Sequence, residues 1–338
     1  MIDPKTAESA EETVEEEIAH RVAQIRSVHR QVRRVIIGQD ELILHVLTCV
    51  FCGGHALLEG IPGLGKTRLI RSVARSLALD TMRVQCTPDL MPADIIGTNT
   101  LLQDEAGHQS IEFQRGPIFT QILLADEVNR ATPKTQSALL EAMQEHQVTV
   151  GGTTYPLGPP FVVLATQNPL ELEGTYPLPE AQLDRFFLKL RVRLPQPDQM
   201  MEIVRRTTGN ELIDIEPVIG VEDIAAIQSL VREVVAEEWV RRYVVDLVYA
   251  THPDNEAAPE VVTHYVRYGA SPRGAQSLLL AAKFSALLAG RLHVAPEDFS
   301  DIIAPSLRHR IVLGFRAEAE GLSVERVIEA ITEEVTPR

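Results

Sequence analysis

The chain has 338 residues, which is long enough for two domains and a substantial buried core. Hydrophobic residues make up 45% and charged residues 23%, a composition that excludes a globally disordered chain. A formal net charge of −15 disfavours nucleic acid and anionic membranes as partners, and neither a membrane-spanning apolar run nor a signal peptide is evident. We therefore expect a cytoplasmic protein with no membrane span and no nucleic-acid partner.

Residues 1–35 predict an N-terminal amphipathic helix. Glutamates concentrate before residue 18 and arginines after residue 20, the order that the helix dipole favours. Apolar residues recur between them at helical spacing, at Val14, Ile18, Val22, Ile25, Val28 and Val32. We interpret this segment as a helix that packs on the body of the protein rather than as a dedicated recruitment helix.

Residues 36–205 predict an α/β domain. Helical segments alternate with five short apolar or β-branched runs, at 56–59, 82–86, 122–126, 161–166 and 187–194. Strands separated by helices predict a mainly parallel five-stranded sheet with helices on both faces. Ligands of such sheets bind at the carboxyl ends of the strands.

Two further pairs of runs predict β-hairpins inserted into this domain. Residues 98–102 and 110–114 flank Asp104-Glu105-Ala106-Gly107, and residues 147–150 meet 153–157 across Gly151-Gly152. After Pro195-Gln196-Pro197 the pattern changes to helices only, at 221–235, 239–251, 272–288 and 296–303. Residues 206–338 are thus predicted to form a second, all-helical domain.

The segment from Gly60 to Thr67, with the sequence GIPGLGKT, predicts a phosphate-binding loop. An apolar strand precedes it and a helical pattern follows, which is the context that this motif requires. Its glycines let backbone N–H groups point at phosphate oxygens, and the helix N-terminus adds positive potential. Lys66 would reach the β- and γ-phosphates, and the Thr67 hydroxyl could bind Mg²⁺. We expect Gly60, Pro62, Gly63, Leu64, Gly65 and Arg68 to contact the nucleotide as well.

Two other strand ends carry polar residues that would complete a nucleotide-hydrolysing site. The strand 122–126 ends in Asp126, a candidate magnesium ligand acting through water, and is followed by Glu127, a candidate base for the attacking water. The strand 161–166 leads into Asn168, which could bind the γ-phosphate or orient that water. The alternative for Asn168 is a turn residue before Pro169.

Three segments resemble signatures of the MoxR family of AAA+ ATPases: Ala125–Arg130, Ala165–Pro169 and Leu178–Phe186. The similarity extends from about Val35 to Ile311, nearly the whole chain. The resemblance implies an AAA+ core, with the two hairpins as the helix-2 and pre-sensor-1 inserts, followed by a helical lid. Cys86 departs from the pattern, since an aromatic or apolar residue is expected there, but no catalytic position is missing.

The resemblance also implies roles for individual residues. Asn168 matches sensor 1, and Arg185 matches the arginine finger that reaches the nucleotide of a neighbouring subunit. Arg273, in Ser271-Pro272-Arg273, matches sensor 2, which we expect to contact the γ-phosphate of its own subunit. Ile37 and Gly38 match the positions that cradle adenine.

Two roles stay open at this stage. Arg130 could act across a subunit interface or could cap its local helix. Gln85 could hydrogen-bond Glu127 and hold it away from water until a substrate binds, but a glutamine that satisfies the strand backbone is at least as good an interpretation.

The family resemblance implies a hexameric ring that uses ATP and Mg²⁺ to remodel or activate a client protein, often a metal- or cofactor-dependent enzyme. The partner implied is a separate protein with a von Willebrand factor A domain. One alternative is a motor subunit like that of magnesium chelatase, or one that remodels DNA. Another is a nucleotide-switched scaffold with little turnover, against which the intact Glu127, Asn168 and Arg185 argue.

The division of labour between Lys66 and Glu127 leads to a first prediction. Lys66→Ala should abolish nucleotide binding, because it removes the charge that holds the phosphates. Glu127→Gln should retain ATP but lose hydrolysis by a factor on the order of 10²–10⁴, as expected for loss of a general base. Nucleotide affinity and phosphate release measured on both variants check this. An equal loss of ATP affinity in the two would contradict the assignment.

Overall fold

A parallel sheet and a set of helices build the molecule, whose computed structural model describes residues 4–103, 108–171, 174–209 and 213–337. The strands are β1 (Ala56–Glu59), β2 (Thr81–Gln85), β3 (Gly97–Gln103), β4 (Gln109–Arg115), β5 (Ile122–Asp126), β6 (Gln147–Val150), β7 (Thr153–Pro156), β8 (Val162–Gln167), β9 (Leu188–Arg191), β10 (Val266–Tyr268) and β11 (Val312–Leu313). The first seven helices are α1 (Pro4–Arg33), α2 (Asp40–Phe51), α3 (Lys66–Ser76), α4 (Pro92–Ile96), α5 (Pro133–Glu145), α6 (Glu180–Leu183) and α7 (Pro197–Thr208). The others are α8 (Val221–Glu233), α9 (Glu238–Ala250), α10 (Glu260–Tyr265), α11 (Pro272–Leu288), α12 (Ile303–Leu307), α13 (Phe315–Glu320) and α14 (Val324–Glu334), with 3₁₀ turns at Val128–Arg130 and Pro296–Phe299.

The central sheet has five parallel strands in the order β2-β5-β8-β1-β9. Ala56, at the start of β1, lies opposite Leu164 on one side and Leu188 on the other. The five predicted strands are confirmed, although β9 ends at Arg191 rather than at Leu194 because β1, its only neighbour in the described sheet, is four residues long. All carboxyl ends therefore lie at one edge of the sheet, and all amino ends lie at the other.

Alternating residues of the strands pack into two separate hydrophobic cores. Leu58, Leu124 and Leu164 pack into the larger core, which includes α1, α2, α3 and the C-terminal helices. Leu57, Leu123 and Val163, one position earlier, pack into a smaller core with α5. This is the consequence of the two-residue period of a strand covered on both faces.

The N-terminal helix α1 packs on the body of the protein, as the sequence predicts. Ile25, Val28 and Val32 are fully buried in the larger core. The helix contacts α2, α3 and α11, so it connects the sheet domain to the C-terminal helices. The predicted boundary at 205/206 falls inside α7 and stays a prediction.

Both predicted hairpins are present. Strands β3 and β4 pair along their whole length, from Gly97 opposite Arg115 to Gln103 opposite Gln109, and the predicted turn 104–107 lies outside the described residues. Strands β6 and β7 pair across Gly151 and Gly152, whose φ angles of 59° and 83° suit a tight hairpin turn. The hairpins pack together through Phe113 and Tyr155, which stack with ring centroids 4.1 Å apart.

The C-terminal region is helical, with one correction. The sequence predicts helices only after residue 197, but β10 and β11 form a small antiparallel sheet that joins α10 to the segment after α12. Strands of three and two residues are too short to show the alternating pattern by which strands are recognised. No helix within the described ranges is both long and apolar enough to cross a lipid bilayer.

Candidate nucleotide site

The phosphate-binding loop lies at the carboxyl edge of the sheet, between β1 and α3. Gly63 and Gly65 adopt φ angles of 85° and 79°, which are strained for residues that carry a Cβ. Helix α3 begins at Lys66, so its N-terminal N–H groups and its positive dipole end face the loop. The local sequence thus builds an anion cradle in the predicted place.

Lys66 turns inward into this loop. Its side chain donates hydrogen bonds to the carbonyl oxygens of Gly60 and Ile61, and the residue is only 9% exposed. Burial lowers the pKa of Lys66, while the nearby Asp126, Glu127 and Glu171 act in the opposite direction. The ammonium group is therefore within electrostatic reach of both acids at the end of β5.

A cavity of about 220 Å³ adjoins the loop on the side of α7. Five of the predicted nucleotide contacts line it: Ile37, Gly63, Leu64, Gly65 and Arg68. The rest of the wall is mainly apolar and comes from Val35, Ile36, Gln39, Pro195, Met200, Ile203 and Thr207. A flat aromatic base fits an apolar cavity of this kind beside a phosphate cradle.

The remaining predicted contacts lie just outside this cavity. Gly38, at φ 71°, lines the neighbouring cavity, and the Gln199 side chain occupies the space that a Cβ would need. Gly60 packs against Val192 and donates its N–H to the Gln167 carbonyl, which fixes the start of the loop. Pro62 is exposed at the loop surface.

Asp126 is held at the end of β5 by its neighbour strand. The Thr166 hydroxyl on β8 donates to Asp126 Oδ1 at 2.6 Å and accepts the Glu127 N–H at 2.9 Å. A single buried hydroxyl therefore fixes the Asp126 carboxylate and the Glu127 backbone together. Glu127 has a φ of 57°, a conformation that is uncommon for a non-glycine residue and that turns the chain away from the sheet.

The Glu127 carboxylate is held by two side chains. Gln85 Nε2 donates to Glu127 Oε2 at 2.9 Å, and Arg130 Nη1 donates to the same oxygen at 3.1 Å. The hydrogen bond between Gln85 and Glu127 that the sequence suggested is present. Arg130 contacts Glu127 of its own chain, and in this conformation the carboxylate is engaged by protein groups.

Sequence reasoning missed Thr166 and Arg83. Arg83 Nη2 lies 2.6 Å from Asp126 Oδ2, and its Nε lies 3.1 Å from the same oxygen. The only signal available was the spacing of Arg83 and Gln85, which places both on the same face of β2. Knowing that this face meets Asp126 requires the pairing of β2 with β5, which is a long-range contact.

Asn168 follows β8 and is buried, with 4% of its surface exposed. Its Oδ1 accepts the N–H of Leu170 at 3.2 Å, so the carboxamide oxygen closes the turn around Pro169. That turn role was the alternative interpretation of the sequence. The Nδ2 group is the part of the side chain that could donate to a phosphate or a water.

The two predicted arginines both donate hydrogen bonds to residues of α5. Arg185 Nη1 donates to the Leu140 carbonyl at 2.8 Å, and Arg273 Nη2 donates to Gln144 Oε1 at 3.2 Å. Leu140 and Gln144 are four residues apart, which is one helical turn. Arg273 also lies 3.5 Å from Asp184, the residue that precedes Arg185.

This pair of arginines lies at the opposite edge of the sheet from the phosphate-binding loop. Arg185 comes just before β9, which starts beside Ala56, whereas the loop follows the other end of β1. Along α5, Gln144 is about 16 Å from Pro133 at 1.5 Å per residue, and Pro133 is the end nearer Asp126. The sequence placed Arg273 over the γ-phosphate of its own subunit; in this structure it lies beside Arg185 instead.

Comparison with known proteins finds an ATPase domain and a lid domain in this chain. Residues 55–188 match the profile of the ATPase family associated with various cellular activities (AAA), and residues 259–331 match that of the AAA lid domain. The chain is 40% identical to Chaperone MoxR1 of Mycobacterium tuberculosis over 316 residues, which cover 93% of this chain and 83% of that protein. Protein MoxR of Paracoccus denitrificans is 34% identical, with coverage of 86% and 89%. A crystal structure of a candidate ATPase from Cytophaga hutchinsonii superimposes with a TM-score of 0.90 at 42% identity and covers 97% of this chain and 98% of its own.

The hydroxyl of Thr166 provides a test of how the acids are held. Thr166→Val keeps the shape of the side chain but leaves Asp126 Oδ1 and the Glu127 N–H without their partner. We expect a loss of about 1–3 kcal/mol in the free energy of unfolding, together with a fall in ATP turnover. Thr166→Ser keeps the hydroxyl and should restore turnover. Chemical denaturation and phosphate release measure both effects, and a Thr166→Val variant with unchanged turnover would show that this bond does not position the acids.

Proposed function

Because the chain belongs to the MoxR family of AAA ATPases, we propose that it hydrolyses ATP at sites shared between neighbouring subunits of a ring, and uses the cycle to remodel or activate a client protein. The ATPase assignment follows from the family and from the related solved structure. The observation that carries the proposal is the separation of the two arginines from the phosphate-binding loop of their own chain. A second copy that presents its arginine edge to this loop completes the site.

Within one subunit, we assign the binding of the triphosphate to the loop and Lys66. The backbone N–H groups around Gly63 and Gly65 bind phosphate oxygens, and the Lys66 ammonium exchanges its carbonyl partners for them. The apolar cavity beside Ile37 takes the adenine. Glu127 accepts a proton from the attacking water, and Asn168 orients that water through its Nδ2 group.

Magnesium is the metal that the family implies, and one residue at the start of α3 and one at the end of β5 fit it. Thr67 and Asp126 would hold it, since a hydroxyl and a carboxylate are oxygen ligands suited to Mg²⁺. The Asp126 carboxylate interacts electrostatically with Lys66 of the phosphate-binding loop, which supports a role beside the phosphates. When bound, the metal supplies charge neutralisation to the phosphates.

Arg185 and Arg273 are assigned to the nucleotide of the neighbouring subunit. Their guanidinium groups stabilise the negative charge that develops on the transferred phosphoryl group. Both side chains contact α5. This supports the assignment of Arg273, like Arg185, to the nucleotide of the neighbouring subunit rather than to that of its own subunit. ATP that bridges two subunits in this way also favours assembly by mass action.

The finer parts of the proposal concern partners. One similar protein is named a chaperone, which supports a client protein as the target of the cycle. A hexamer, a client enzyme that depends on a metal or cofactor, and a separate protein with a von Willebrand factor A domain complete the proposed assembly. The net charge of −15 favours protein over nucleic acid as the target.

Mixed rings test the shared site. Arg185→Ala and Glu127→Gln chains should each be inactive, but together they form interfaces that contain an intact Glu127 and an intact Arg185. Random pairing yields such interfaces with a probability of one half times one half, so about a quarter of the wild-type ATPase rate should return. Arg273→Ala mixed with Glu127→Gln should recover in the same way. In a mixture of Arg185→Ala and Arg273→Ala chains every donor edge lacks one of the two arginines, so no interface is complete and the mixture should stay inactive.

The outcomes separate the two arginines. Failure of the Arg185→Ala and Glu127→Gln mixture would remove Arg185 as a group acting across the interface. If only the Arg273→Ala mixture fails to recover, Arg273 acts on its own nucleotide.

The client is tested by capture. A Glu127→Gln chain should hold ATP and remain bound to its client, because hydrolysis is slowed. Affinity purification from the native source in the presence of ATP should enrich a client enzyme and a protein with a von Willebrand factor A domain. Lys66→Ala is the matched control, since it loses the nucleotide. Equal recovery of the same proteins by both baits, or enrichment of DNA with the trap, would contradict the proposal.

A further inference from the structure

Arg310 is a charged residue buried inside the protein, far from the phosphate-binding loop. Its side chain is 2% exposed and lies in the segment between α12 and β11. The guanidinium donates to Asp184 Oδ1 at 2.9 Å and to the Ser277 hydroxyl of α11 at 3.1 Å. Its remaining hydrogen bonds go to the carbonyl oxygens of Asp184 (3.3 Å), Phe186 (2.7 Å), Phe187 (3.3 Å) and Ser306.

Four of these six acceptors belong to the segment that carries Arg185. Residues 184–187 form a turn between α6 and β9, so their carbonyl groups have no ladder of their own. Arg310 satisfies the carbonyls of Asp184, Phe186 and Phe187, and His309 Nε2 donates to Phe186 at 3.0 Å. The turn is thus shaped by groups from the C-terminal helical region.

The Asp184 carboxylate connects the same turn to Arg273. The Ser271 hydroxyl donates to both Asp184 oxygens, at 2.9 and 2.8 Å, and accepts the N–H of Arg273 at 3.1 Å. The Arg273 guanidinium lies 3.5 Å from Asp184 Oδ2. One carboxylate therefore contacts Arg310 on its buried side and the start of α11, with Arg273, on its exposed side.

We propose that Arg310 and Asp184 form a positioning pair that holds Arg185 and Arg273 in one orientation, and that this pair sets how well a subunit activates the nucleotide of its neighbour. The inference rests on the shared site proposed above. Neither residue lines the cavity beside the phosphate-binding loop of its own chain. The pair acts only through the arginines that it places.

The presence of a buried ion pair is by itself weak evidence for a role in stability. A buried ion pair pays a desolvation cost that often cancels its attraction, and well-packed apolar residues can replace such pairs without loss of stability. A guanidinium, in contrast, is planar and presents five N–H groups in a fixed fork, so it can define the relative positions of several acceptors. Burial lowers the pKa of Arg310 to about 10, so the group stays protonated at neutral pH.

Close packing around Arg310 restricts the position of its side chain. A Cβ added to Gly274 on α11 would lie 3.3 Å from Arg310 Cδ and 3.2 Å from the Ala270 Cβ. The glycine thus lets the arginine stem pass directly beside α11, the helix that begins next to Arg273. A displacement of α11 would therefore be transmitted to the turn that carries Arg185.

The test uses Arg310→Lys, which keeps the charge but loses the fork, and Asp184→Asn, which keeps an acceptor for Ser271 but loses the charge. The matched control is Asp298→Asn, which breaks another Arg–Asp pair in the helical region, with Arg291 at 2.8 Å. Both test variants should assemble and bind ATP with unchanged affinity. Their kcat should fall about 100-fold, as expected when catalytic groups are displaced by around 1 Å. The Asp298→Asn chain should keep its kcat.

Mixed rings distinguish positioning from general damage. If the pair serves only the donated arginines, Arg310→Lys mixed with Glu127→Gln should recover ATPase activity to the same extent as Arg185→Ala mixed with Glu127→Gln. Arg310→Lys mixed with Arg185→Ala should not recover, because both chains then lack a functional donor edge. Asp184→Asn should give the same results in both mixtures. If Arg310→Lys does not assemble, the Asp184→Asn mixtures alone test the positioning role.

Three results would overturn the positioning role. In the first, the mixture of Arg185→Ala with Glu127→Gln recovers ATPase activity, but the mixtures of Arg310→Lys and of Asp184→Asn with Glu127→Gln do not. The shared site would then stand, and the pair would act on the nucleotide site of its own subunit. In the second, the two variants keep wild-type kcat. If the Arg185→Ala and Glu127→Gln mixture itself fails, the shared site is wrong and the positioning role falls with it.

Discussion

The parallel direction of the five central strands is the constraint on which the rest of the molecule depends. It gathers the phosphate-binding loop, Asp126, Glu127 and Asn168 at one edge, because each follows the carboxyl end of a strand. Because β9 is also parallel, the chain must return from β8 to the amino edge of the sheet before β9 begins. Arg185 lies at the end of this return. In the proposed function these two edges carry the two halves of one catalytic site. One subunit cannot bring its own two edges together, so assembly and catalysis are coupled.

At the loop edge, hydrogen bonds from neighbouring strands hold the two acids. The Thr166 hydroxyl joins the Asp126 carboxylate to the Glu127 backbone, across two strands whose pairing fixes the distance. The Glu127 side chain is engaged by Gln85 and Arg130 in this conformation. A rearrangement at β2 would remove the hydrogen bond from Gln85 and leave this carboxylate with Arg130 as its remaining side-chain donor.

At the arginine edge, the C-terminal helices determine the geometry of the turn before β9. Arg310 and His309 reach from the segment after α12 to the carbonyls of this turn, and Ser271 reaches from the start of α11. The small sheet of β10 and β11 joins these two parts of the helical region. The helical region therefore supports the turn that carries Arg185 as well as covering the core.

The sequence by itself determined the features that are local. The loop from Gly60 to Thr67, the acids after β5 and both hairpins could be predicted, because their residue types and spacing act within a few positions of the chain. Tertiary structure alone decided the contacts that join distant segments: Arg83 at Asp126, Arg310 at the turn before β9, and Arg273 beside Arg185. These depend on strand order and on how the C-terminal helices pack against the sheet, and neither leaves a periodic signal in the sequence. A motif identifies Arg273 as a candidate, but only the packing of its helix brings it beside the turn that carries Arg185.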